Sequence, residues 1–133
     1  MLQRYEGGCH CGRVRFRIEV DLEATPIGEC NCSICTKKGI LHLPVAGDRL
    51  EILSGSDDLA SYTFNTGTAR HLFCRHCGMH PFYHPRTDPE NYSVNARCLD
   101  DYDPLMMAPR RTFDGRHWED AFARSNSEWA ARR

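Results

Sequence analysis

The chain has 133 residues, and its 17 Lys and Arg against 18 Asp and Glu leave a net charge of −1 with seven His neutral. A chain of this length buries about 70% of its unfolded surface, enough for one core without disulfides, and balanced charge gives no bulk electrostatic footprint for nucleic acid or acidic membrane. No run approaches the ~18–20 apolar residues of a membrane span, and the opening Met1-Leu2-Gln3-Arg4-Tyr5-Glu6 lacks a signal peptide's apolar stretch, so a cytoplasmic protein is expected. The compositional anomaly is cysteine: eight residues, about 6%, below the density of a short secreted disulfide scaffold.

In chain order, the first clear element is 12–20, where Val14, Phe16, Ile18 and Val20 alternate with Arg13, Arg15, Arg17 and Glu19. A period of two predicts a strand with one buried and one wet face. Further apolar or β-branched runs follow at 40–45, 49–53, 61–65, 70–74, 81–84 and 92–98, each bounded by Gly, Pro, Asp or Asn. Short strands with that punctuation predict an all-β, mostly antiparallel domain. Helix signals are a turn at 33–38 between Cys32 and Gly39, another at 57–61, and a terminal segment. In that segment Asp114 is placed to cap Trp118, Ala121 and Phe122, which recur at i, i+3 and i+4 and face the sheet. The tail from Asn126 to Arg133 is expected to fray.

The cysteines fall as Cys9 and Cys11, then Cys30, Cys32 and Cys35, then Cys74 and Cys77, with Cys98 alone. Such clusters are a metal pattern: tetrahedral zinc with Zn–S of about 2.3 Å needs sulfurs only ~3.8 Å apart, whereas a C-x-C pair rarely meets disulfide geometry. Two plus two sulfurs close a structural site, and three leave a position open to water, a thiol or a substrate. Gly78 after Cys77 suits a zinc knuckle. Spacing favours Cys9 and Cys11 with Cys74 and Cys77, but Cys30 and Cys32 with Cys74 and Cys77 would also close a tetrahedron.

Three segments, Gly8-Cys9-His10-Cys11-Gly12-Arg13-Val14-Arg15-Phe16, Cys30-Asn31-Cys32-Ser33-Ile34-Cys35 and Phe73-Cys74-Arg75-His76-Cys77-Gly78, resemble the signature segments of the glutathione-dependent formaldehyde-activating enzyme family. Tyr62-Thr63-Phe64-Asn65-Thr66, Phe82-Tyr83-His84-Pro85-Arg86, Cys98-Leu99-Asp100 and the stretch from Phe113 to Glu119 resemble its centromere protein V-like branch. The likeness covers about 5–122, and a single domain over 1–133 with a tail at 123–133 is expected. It implies tent-like antiparallel sheets with a short C-terminal helix and two zinc ions per chain. Cys9, Cys11, Cys74 and Cys77 match the structural zinc site, and Cys30, Cys32 and Cys35 match the labile, catalytic one. The implied activity joins glutathione and formaldehyde as S-hydroxymethylglutathione, a carbon-sulfur lyase reaction in reverse.

That chemistry needs a thiolate, and a free thiol with a pKa near 8.5 is mostly protonated at neutral pH. Zinc on Cys30, Cys32 and Cys35 would ionise a substrate thiol at its open position, whose sulfur then attacks the aldehyde carbon. Tyr83 and Arg86 are candidates to polarise a carbonyl and hold a glutathione carboxylate, against a plainer reading as packing and surface residues. His42 is weighed as a neighbour of the three-cysteine site against a satisfied sheet histidine. His10 and His76 read as solvent-facing spacers, Lys37 and Lys38 as a basic turn, Cys98 as a small buried hydrophobe, and Arg13, Arg15 and Arg17 as a solvated face. The competing functions are a non-catalytic zinc module for a protein or chromatin partner and a C-x-x-C redox sensor.

Overall fold

The computed structural model describes residues 1–124, so the expected fraying of 126–133 lies outside the described residues. In chain order its strands and first helix are β1 (Gln3–Gly8), β2 (Arg15–Val20), β3 (Gly28–Cys30), α1 (Ser33–Lys38), β4 (His42–Val45) and β5 (Leu50–Ser54). They continue as β6 (Leu59–Tyr62), β7 (Arg70–Cys74), β8 (Phe82–His84), β9 (Tyr92–Asn95) and β10 (Arg111–Phe113). Helical turns over 118–124, here α2, close the described chain. No described helix is long and apolar enough to cross a membrane.

The alternating segment behaves as its period demands. Val14, Phe16 and Ile18 are fully buried and Val20 nearly so, while Arg15, Arg17 and Glu19 face outward. The strand begins at Arg15 rather than Gly12, because the chain at Cys9 to Gly12 turns back on itself: Cys9 N–H donates to Val14 O and Gly12 N–H to Cys9 O. β2 lies between β1 and β5 in a three-stranded antiparallel sheet. The other seven strands form a second sheet in the order β10-β3-β4-β9-β8-β7-β6, antiparallel except where β10 runs parallel to β3.

One core joins the sheets. Phe16 of β2 meets the ring of Phe82 of β8 edge to face at 5.4 Å, and Ile18, Leu43 and Val94 complete the fully buried centre. Each such side chain contributes about 1.5–3 kcal/mol by leaving water.

Three strands escape the sequence patterns. β1 carries Gln3, Arg4 and Glu6 on exposed positions and has no apolar alternation, while β3 and β10 span three residues each, too few to display a period. The run 92–98 is cut at Asn95, whose side chain accepts the Arg97 N–H and turns the chain into a 3-10 turn at Ala96–Cys98. The run 61–65 shifts to β6, two residues earlier. Asp114 does not cap α2 through its side chain; its Oδ1 accepts from Asn31 Nδ2 at 2.9 Å, and its Oδ2 lies 3.0 Å from His117 Nδ1.

Candidate active site and metal centres

The hairpin between β1 and β2 carries Cys9 and Cys11, and the end of β7 carries Cys74 and Cys77. Their four sulfurs lie within 4.8 Å of one another, with Cys9 to Cys11 at 3.6 Å and Cys11 to Cys74 at 3.7 Å. Those separations match the ~3.8 Å edge of a zinc tetrahedron, and the donor set is one that zinc favours. The turns that make the approach possible are short. Gly78 sits at φ +78°, its N–H donates to Cys74 O at 2.7 Å, and Val14 N–H points at Cys9 Sγ at 3.3 Å. Burial pushes the Cys74 thiol up to about 11, so its thiolate form would need a cation beside it. The alternative grouping of Cys30 and Cys32 with Cys74 and Cys77 is not the one the fold makes.

Cys30 ends β3, Cys32 caps α1 and Cys35 lies in its first turn, which brings three sulfurs within 4.8 Å of one another. Cys32 Sγ accepts the Cys35 N–H at 3.5 Å, and Gly39 in a left-handed conformation closes the helix by donating to Cys35 O. The thiols of Cys30 and Cys35, with backbone N–H groups, pull Cys32 down to about 2; Cys32 pushes Cys30 up, and Cys30 together with Cys32 pushes Cys35 up. The group could hold a metal ion, and among the described residues no fourth His, Cys, Asp or Glu joins it.

Two residues that sequence reasoning passed over shape this cluster. Asn31, between two cysteines, donates to Asp114 and accepts the Arg116 N–H at 3.1 Å, while its carbonyl accepts from Arg116 Nε at 2.8 Å. The loop after β10 is thereby tied onto the sulfurs. Gly115 sits so close that a β-carbon there would come 2.7 Å from Cys30 Sγ and 2.7 Å from Cys32 Cβ. The asparagine inside C-x-C and the glycine after Phe113-Asp114 were the available signals; their contact across 83 or more positions was not.

The three cysteines line a cleft of about 770 Å³. His71, Tyr83 and Ser93 sit opposite one another in register across β7, β8 and β9, and all three line it. The Tyr83 ring stacks on His71 at 5.0 Å and 12°, and its hydroxyl lies 3.1 Å from His42 Nδ1, which also meets Ser93 Oγ at 3.0 Å. Burial lowers both His42 and His71 to about 4, leaving them neutral at neutral pH, and raises the Tyr83 phenol. Arg86 reaches the same cleft; its guanidinium lies 3.6 Å over the Trp118 ring and 3.9 Å from Glu119, and Trp118 stacks on Phe122 at 4.8 Å. Tyr83, Arg86 and the three cysteines are thus brought together.

Lys38 departs from its reading as a solvated turn. It points inward, with Nζ 3.3 Å from His71 Nδ1 and 5.0 Å from the centre of the Tyr83 ring, while Lys37 stays exposed. His10 is exposed, but on a turn rather than a strand. His76 bonds to Asp58 at 2.7 Å. The basic face of β2 is neutralised by pairs, Arg15 with Asp100 and Arg17 with Glu51. Cys98 lies in a 3-10 turn beside Asn95 and His80 O, and burial pushes its thiol up to about 12.

The family model described as "Glutathione-dependent formaldehyde-activating enzyme" matches residues 4–115. A curated relative from Halomonas elongata, provisionally named as a glutathione-dependent formaldehyde-activating enzyme, is 34% identical over 80 residues, 54% of this chain and 50% of that protein. The chain thus matches half the length of that relative. A crystal structure of a Rhodobacter sphaeroides protein superposes with a TM-score of 0.73 at 32% identity, covering 80% of this chain and 98% of that one.

Proposed function

The chain belongs to the glutathione-dependent formaldehyde-activating enzyme family, and from that membership we propose that it catalyses reversible addition of a small thiol of the glutathione class to an aldehyde such as formaldehyde. The product is a hemithioacetal, S-hydroxymethylglutathione for that pair, and the reverse direction is a carbon-sulfur lyase reaction. The observation that carries this reading is the cluster of Cys30, Cys32 and Cys35, three sulfur donors without a fourth from the described residues, at the base of a cleft.

In this reading Cys30, Cys32 and Cys35 hold the catalytic zinc and Cys9, Cys11, Cys74 and Cys77 the structural one. Bound at the three cysteines, zinc supplies a Lewis acid that favours the ionised form of an incoming thiol at neutral pH. The chain's own groups do the rest. The Arg86 guanidinium, held over the Trp118 ring, is the group that meets a substrate carboxylate. Tyr83 shapes the wall beside the sulfurs, with its hydroxyl held by His42. The loop carrying Asn31 contacts and Gly115 closes on Cys30 and Cys32 and narrows access to them.

The test is zinc content per chain with exchange NMR of glutathione and formaldehyde. Two zincs and accelerated exchange with S-hydroxymethylglutathione are expected, and Cys32→Ser should lose one zinc and the acceleration together. Full acceleration by a Cys32→Ser protein, or none by the two-zinc wild type, would overturn the proposal.

A further inference from the structure

The cleft wall holds a histidine whose hydrogen bonding is half complete. His71 of β7 is only 3% exposed, yet it lines the cleft that contains the three cysteines. Its ring is held between Phe64, stacked at 5.6 Å and 24°, and Tyr83 at 5.0 Å and 12°, so its orientation is set by packing on both faces. Its Nδ1 lies 3.3 Å from Lys38 Nζ. With Lys38 as an ammonium, which has only donors, Nδ1 is the acceptor and the ring proton sits on Nε2. That Nε2 is buried and has no hydrogen-bond partner among the described residues.

A buried N–H is almost always paired, and because His71 lines the cleft an accepting ligand atom would complete it; His42, whose Nε2 is also unpartnered among the described residues, lines the same cleft but already bonds Tyr83 and Ser93 through Nδ1. Metal ligation does not account for it, since His71 is not part of the group of sulfurs within 4.8 Å of one another. A packing role accounts for the stacked faces but not for Lys38, which turns inward from the end of α1 to bond Nδ1. Lys38 is the feature that a buried aromatic residue would not need. It fixes the tautomer and leaves the donor on Nε2.

Resting on the thiol-addition reading above, we propose that His71 is a catalytic residue: its Nε2–H donates to the aldehyde oxygen, with Lys38 as the positioning residue that sets its tautomer. The thiolate sulfur forms the new S–C bond as the C=O π pair moves onto oxygen. The alkoxide so formed takes a proton from solvent, which balances the one lost when the thiol ionised. A neutral imidazole gives its hydrogen bond more strongly to the alkoxide than to the carbonyl, which is the condition for lowering a barrier rather than merely binding.

The experiment uses the full zinc-loaded chain. Long-range ¹H–¹⁵N spectra at pH 7 should show His71 as the Nε2–H tautomer, and Lys38→Met should release part of it to Nδ1–H; an Nδ1–H wild type overturns the proposal whether or not any variant folds. In exchange NMR with glutathione and formaldehyde, His71→Phe keeps an aromatic ring and should lose about 100-fold in kcat, with KM for glutathione within about threefold. His71→Gln, whose amide can donate, should recover at least about tenfold of that loss. Equal rates for His71→Phe and wild type, or no recovery by His71→Gln, overturn the role of His71 alone. A wild type that accelerates nothing removes the underlying activity and this role with it.

Discussion

Gly115 shows how one absent side chain can set a site. Its α-carbon stands where a methyl group would come 2.7 Å from Cys30 Sγ and from Cys32 Cβ, closer than real β-carbons stand to other atoms. Gly115→Ala must therefore displace a sulfur or the loop. Disturbing the surroundings of metal ligands typically lowers metal affinity about 10–100-fold, and that loss is expected at the three-cysteine group while the four-cysteine group is unaffected. Competition with a chromogenic chelator measures both sites separately. Equal release from wild type and variant would mean the loop yields without disturbing the sulfurs. Asn31 acts on the same loop from the other side, through Asp114 and Arg116.

At the scale of elements, the cleft wall is a consequence of strand register. Residues directly opposite on paired strands share a face, so His71 on β7, Tyr83 on β8 and Ser93 on β9 form a continuous row, with His42 on β4 bonding to Tyr83 and Ser93. A slip of one residue in β8 would send Tyr83 to the opposite face. The row also gives the molecule an acid limit. His42 and His71 have folded pKa values of about 4 against the usual 6.5, because burial opposes the charge. The unfolded chain therefore takes up protons first, and stability is expected to fall as pH is lowered from about 6.5 towards 4. Denaturant midpoints measured across that window with saturating zinc should decline less steeply for His71→Phe than for wild type; parallel declines would count against the assignment.

Across the whole molecule, the two cysteine groups have different mechanical positions. Cys9 and Cys11 belong to the hairpin of the three-stranded sheet, and Cys74 and Cys77 to the end of β7 and the turn after it, so a metal held by the four would staple one sheet to the other. Cys30, Cys32 and Cys35 come from one short stretch of chain, so a metal among them would cross-link no distant cysteines. Breaking the staple by Cys74→Ser is expected to lower stability by at least about 3 kcal/mol, a fall in Tm on the order of 10 °C for a chain of this size. Cys32→Ser should move Tm by less than about 3 °C on the same scale. Thermal unfolding of the two variants side by side decides it, and similar losses for both would refute the division of labour. The sequence by itself determined the all-β character, the β2 face, the helix at 33–38 and the three cysteine clusters, because these are written in local period and spacing. Spacing left the grouping of the clusters open and the family resemblance implied it; the tertiary structure brings Cys9, Cys11, Cys74 and Cys77 together, and it alone decided that β10 pairs in parallel with β3. It also turned Lys38 inward, set His71 beside Tyr83 and placed Gly115 on the sulfurs. Those facts depend on strand register and on contacts between residues far apart in the chain, and no local pattern of residue types encodes them.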